Sequence, residues 1–171
     1  MVLPQAARDH YLTQQRLLTA TLSLVRREWS GMGDDFDASW ARVGPRVALL
    51  TASAQVGAAR NGAAYVPATL AELGQRVTPD GAVSPRAMVG AQSLDGLTYG
   101  SLDALLYGAV IHAKRADVES LPERLYAGGS RLQTLVHTQV SDAAKQSASV
   151  AITARPGVGY VRPVSAPCCQ R

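Results

Sequence analysis

Apolar residues recur at helical spacing through most of this chain. Tyr11, Leu18, Leu22, Val25 and Trp29 form a first stripe behind Pro4, which suits a first-turn position, and Gly31-Met32-Gly33 closes the segment. Gln14, Gln15, Arg26 and Arg27 take the other faces. A helix of about 25 residues spans about 37 Å, and a single apolar stripe on so long a rod requires a partner helix. Asp34, Asp35 and Asp37 follow, where acids favour a helix start, and Phe36, Trp40, Val43, Val47, Leu50, Ala54 and Ala58 make a second stripe. Gly44-Pro45 predicts an early kink or a later true start. Asn61-Gly62 predicts a loosening before Tyr65-Val66-Pro67, with 69–73 as a further short turn ended by Gly74.

Residues 75–100 are the least periodic. Pro79-Asp80-Gly81 and Asp95-Gly96 are turn sequences, and Ser84-Pro85 reads as a helix cap followed by a first-turn proline, with Gly90 as the stop. A short helix inside a long loop is expected, and a loop of that length is often a contact site. A third helix is expected over 101–116, with Leu102, Leu105, Leu106, Ala109 and Ala113 inward. Pro122 opens a short segment, 123–127, that Gly128-Gly129 interrupts; a last helix over 130–151 carries Leu132, Val136, Val140, Ala143 and Val150 on one side. Pro156 lies just past its end. Val158, Tyr160 and Val164 then alternate loosely as in a strand, but Pro163 excludes a central strand, leaving an edge strand or an extended arm.

The fold expected is mainly α, an irregular bundle of about four to six helices with long N-terminal and C-terminal members. Its helical domain covers 1–154, divided into N-terminal helices (1–74), a long loop (75–100) and C-terminal helices (101–154). An extended basic arm covers 155–171.

Composition sharpens this reading. One Phe and two Trp in 171 residues, with abundant Ala, point to small-residue helix packing rather than a β-sandwich. No apolar run approaches the roughly 18 residues of a membrane span, and MVLPQAARDH has no apolar signal core, so a soluble intracellular chain is expected. Charge is uneven: residues 1–104 hold nine Arg and nine acids, whereas 105–171 hold eight Lys or Arg against four acids, which is the whole net +4. After Asp142 no acid remains, while Lys145, Arg155, Arg162 and Arg171 do. Such a tail can meet nucleic acid or an acidic protein surface, or simply stay solvated.

Catalytic patterns are weak. His10, His112 and His137 lie far apart, and Ser130, His137 and Asp142 assemble a triad only on paper, without a nucleophile elbow. Gly157-Val158-Gly159 lacks the following helix that a phosphate loop needs. Cys168 and Cys169 are half of a zinc site or two incidental thiols; a complete zinc site would need ligands beyond Arg171, so no cofactor is expected within this chain. No catalytic residues are assigned, and the chain is not expected to be an enzyme.

Taken in order, several segments resemble the phage Mu F-like minor head proteins, in the type found among phages of high-GC actinobacteria. They are Trp40, Tyr65-Val66-Pro67, Val89-Gly90-Ala91 with Asp95-Gly96, and 138–144 (TQVSDAA). Arg155-Pro156 leading to Gly159-Tyr160-Val161-Arg162 follows, then Pro167-Cys168-Cys169-Gln170-Arg171, which is similar to the entry to a Cys/His-rich module. The resemblance implies a minor structural protein bound at the portal vertex inside the capsid, in several copies, supporting head assembly and DNA packaging or ejection. It implies the portal protein as partner, with the major capsid protein and packaged double-stranded DNA as further ones, and no membrane. Its location would be the virion interior, and the host cytoplasm during assembly. Arg155, Tyr160 and Arg162 are the candidate portal or subunit contacts; Lys145, Arg155, Arg162 and Arg171 are the candidate DNA contacts. The alternative is a capsid maturation protease or part of a protease fusion, which lacks a placed nucleophile and base here. A small DNA-binding protein is a third reading, opposed by a modest basic excess with no aromatic interleaving along the sequence.

Overall fold

The computed structural model describes residues 4–75, 77–79, 94–115 and 120–159. They are mainly α-helical, as expected, and contain no strand. Helix α1 covers Gln5–Trp29 and α2 covers Phe36–Glu72. Helix α3, Leu94–Leu105, runs through a π-helical turn, Leu106–Val110, into α4, Ile111–Arg115. Helix α5 covers Leu121–Thr153. With α3, the π turn and α4 taken as one rod, the described residues form four rods.

Helix α2 begins at Phe36 and not at Gly44-Pro45, because its first turn is well capped. Asp35 accepts from the Ala38 amide at 2.9 Å, Ser39 Oγ accepts from the Gly33 amide at 3.0 Å, and Asp37 adds a negative charge at the start. Pro45 and Pro67 are tolerated inside the helix because both are exposed, so water can reach the carbonyls that their missing N–H groups leave free. Asn61-Gly62 does not loosen the helix either, and 69–72 are its last turn, followed by Gly74 with φ 70°.

Helix α1 has no cap of its own, since Pro4 occupies the N-cap position. The far end of α2 supplies one: the Glu72 carboxylate accepts from the Gln5 amide at 2.6 Å and the Ala6 amide at 2.9 Å. These two backbone bonds, the Ala6 amide first, lower the Glu72 pKa, with a smaller contribution from Arg8. A carboxylate whose pKa is depressed on folding stabilises above its unfolded pKa, and that stabilisation is lost as pH falls through the folded value. Glu72→Gln should therefore melt lower than the natural protein at neutral pH, with the two melting curves converging on acidification. Thermal scans against pH check this; a gap that persists in acid would show that the charge is not what matters.

The rods alternate in direction. Gln5 meets Glu72, Gln14 meets Ala58 and Glu28 meets Arg46, so α1 and α2 are antiparallel. Ser101 lies between Gln55 and Gln139, and Lys114 pairs with Asp37, so the α3–α4 rod runs against α2. Helices α2 and α5 run parallel as the central pair, touching at Gly62 and Ala144, and the other two rods flank them. Gly62 is needed there, because a Cβ would fall within 3.0 Å of the Ala144 carbonyl carbon.

The core fills the seams. Trp29, Met32, Phe36 and Trp40 gather at one pole, Val47, Leu105, Val110, Leu132, Val136 and Val140 in the middle. A separate cluster at the other pole joins Val66, Leu70 and Ala151, with Val77 and Val158 packed against it. The third rod starts at Leu94, seven residues before the expected 101, and includes the Asp95-Gly96 sequence read as a turn. Gly128-Gly129 does not interrupt α5: Trp29 lies on both glycines, and its indole N–H donates to the Leu125 carbonyl at 3.0 Å. Gln14, expected on an outer face, is buried, because the inward stripe of α1 follows 14, 18, 21, 25 and 29. Tyr11 lies off that stripe and is 61% exposed.

Candidate functional site

Two grooves run along α5. The larger, about 810 Å3, opens between the first half of α1 and the second half of α5, with Tyr65 of α2 at its edge. Ala144, Ala148 and Ile152 give it an apolar wall, and Thr138, Ser141, Asp142 and Lys145 a polar rim. His10 stacks on Tyr65 with ring centroids 4.7 Å apart and planes 24° apart. Burial lowers the His10 pKa, and hydrogen bonding to Asn61 opposes that shift. Gln14 donates through Nε2 to the Ala58 carbonyl at 3.1 Å, but its Oε1, like His10 Nδ1, is buried without a hydrogen-bond partner. Unpartnered polar atoms beside an apolar wall suit a ligand surface that brings its own donors and acceptors.

The second groove, about 620 Å3, lies between the π turn with α4 and the first half of α5. Tyr107, His112, Arg115, Ser130, Arg131 and Thr134 line it, and among the described residues no carboxylate does.

The candidate site residues are dispersed. Lys145 sits on the rim of the larger groove, 3.4 Å from Asp142. Arg155 is half-buried just past α5, and its Nη1 donates to the Ala151 carbonyl at 2.6 Å, so it secures the end of that helix. Tyr160, Arg162, Arg171, Cys168 and Cys169 lie outside the described residues, as do the Ser84-Pro85 cap, the Gly90 stop and Val89-Gly90-Ala91. Ser130, His137 and Asp142 do not converge: Ser130 opens on the smaller groove, His137 and Asp142 on the larger, and Ser130 lies two turns, about 10 Å, from His137 along the axis.

Among the described residues no three His, Cys, Asp or Glu side chains are placed to hold a metal ion. No helix among them is long and apolar enough to cross a membrane. Sequence reading missed the Tyr107, Arg115 and Arg131 cluster. The available signal was Tyr107, Ile111 and Arg115 at successive intervals of four, but Arg131 comes from another helix.

No family model, no curated protein and no solved structure matches this chain.

Proposed function

We propose that this protein is a minor structural component of a tailed-phage head, docked on the portal protein and supporting head assembly and DNA packaging or ejection. The observation that supports the reading is a convergence: two of the segments that resemble the Mu F-like proteins meet in one groove. From 138–144, Thr138, Ser141, Asp142 and Ala144 line it; from the Tyr65-Val66-Pro67 segment, Tyr65 does. An apolar wall with a polar rim between two helices accepts an amphipathic helix from a partner. The stretch of α1 that lines the groove, from Ala7 to Leu18, is about 16 Å long, which sets a docked helix at roughly three turns. Several copies around the portal vertex, and contacts of the basic end with packaged DNA, belong to the same proposal.

Ser141→Trp combined with Ser149→Arg fills the groove from its rim. Co-migration with purified portal should fall at least tenfold in affinity, about 1.4 kcal/mol, while the melting temperature stays close to that of the natural protein. Unchanged co-migration by a folded double variant would remove the groove as the docking surface. Normal portal vertices in phage lacking the protein would remove the functional reading itself.

A further inference from the structure

The smaller groove has chemistry that the portal reading leaves unused. Arg115 on α4 and Arg131 on α5 are both exposed, and neither makes an ion pair among the described residues. By contrast, Lys114 is held by Asp37, and Arg124 donates to the Ala113 and Lys114 carbonyls while lying 5.0 Å over the Phe36 ring. The two guanidinium groups therefore share one cleft with the His112 imidazole and the Ser130 and Thr134 hydroxyls, all of them able to donate hydrogen bonds. Asp117 and Glu119 follow in the sequence and lie outside the described residues.

Two large aromatic side chains on the elements that form the cleft have little to cover them. Tyr107 is 71% exposed and lines the groove; Tyr126, 78% exposed, precedes the lining residue Ala127. The wall that carries Tyr107 is the π turn, Leu106–Val110, an element that is rare in proteins and often found at functional sites. Uncompensated arginine recognises phosphate through its planar fork of donors, and exposed tyrosine is a platform on which a nucleobase can stack. An acidic peptide would have use for the arginines but not for the rings.

We propose that this cleft binds the phosphodiester backbone of a nucleic acid, with Arg115 and Arg131 on phosphate oxygens and Tyr107 and Tyr126 beside the bases. The cleft and the portal groove have no lining residue in common, so the two readings fail separately.

The test is fluorescence-anisotropy titration of the full chain with a labelled oligothymidylate and with a labelled duplex, each over a series of salt concentrations. Binding should weaken linearly in log affinity against log salt. Arg115→Ala with Arg131→Ala should lower that slope by roughly one per arginine and weaken binding to both probes. Arg16→Ala with Arg60→Ala, exposed on other helices, removes the same charge and should change affinity less than threefold. Tyr107→Ala with Tyr126→Ala distinguishes the sources: a loss of roughly tenfold confined to the single strand identifies unpaired bases as the target, and equal binding of both probes by this variant and the natural chain identifies the backbone that both probes share and removes the tyrosines from the site. All six positions are exposed, so each variant should melt as the natural protein does. The proposal is overturned if neither probe binds at low salt, if the Arg16 and Arg60 control loses as much as the cleft variant, or if polyglutamate displaces the oligonucleotide as readily as unlabelled DNA.

Discussion

Gly62→Leu should leave this chain without a stable four-rod core. A side chain at 62 would meet the backbone of α5, at the Ala144 carbonyl and Cα, and no rotamer can relieve a backbone collision. The two central helices would have to separate along their length, exposing Val140, Ala143 and Ser147, which are buried. Overpacking a well-filled core costs about 1–3 kcal/mol even where side chains can adjust, against a total stability of about 5–15 kcal/mol for a domain. Gly62→Ala gains about 1 kcal/mol of helix propensity and should still come out less stable than the natural protein; leucine should lose more than about 4 kcal/mol. Gly57→Ala is the control. Its Cβ would meet Leu17 Cδ2 at 3.5 Å, ordinary contact, so that variant should gain about 0.5–1 kcal/mol. Denaturant unfolding followed by far-ultraviolet circular dichroism measures all three. A Gly62→Leu variant as stable as the natural chain would mean that α2 and α5 do not cross here.

Trp29→Ala should give the next largest loss, about 3–5 kcal/mol, since it empties the pole where α1, α2 and α5 meet. Trp29 packs edge-on against Trp40 with centroids 6.5 Å apart, covers Gly128 and Gly129, and ties down the Leu125 carbonyl. The more discriminating measurement is the cycle with Gly129→Ala. In the natural background the new Cβ would sit 2.8 Å from the indole nitrogen and must destabilise. Once the indole is gone, only the helix-propensity gain of about 1 kcal/mol remains, so the sign should reverse and the coupling should exceed about 2 kcal/mol. Equal effects of Gly129→Ala in the two backgrounds would show that the glycines are not there for the tryptophan.

Those two sites also explain what was legible in the sequence and what was not. The stripe of Phe36, Trp40, Val43 and Val47 announces its helix, because large apolar residues at regular spacing have one physical solution. Asn61-Gly62 and Gly128-Gly129 read as breaks because glycine is a poor helix former in isolation. In the fold Gly62, Gly128 and Gly129 are points of close approach, and the packing gained there outweighs the propensity lost. Pro45 misleads in the same way: the rule against interior proline weakens where the helix face is wet. The smaller groove was hidden for a different reason. Tyr107, Arg115 and Arg131 belong to two helices, and no spacing along one helix brings them together. The basic excess of 105–171, which has no aromatic interleaving along the sequence, includes two arginines that the seam places in one groove with Tyr107.

The alternation of the rods has a mechanical consequence. Pro4 and Gly159 leave the bundle at the same pole, where Glu72 caps α1 and Val158 packs on Val66 and Leu70. Tension between the two ends of the described chain would therefore pull α1 and α5 apart sideways, like the teeth of a zip, and not slide them past one another. The first stretch such a force meets is the open groove, where little holds the two helices together. The Trp29 junction lies at the opposite pole and would be the last of their contacts to feel the load.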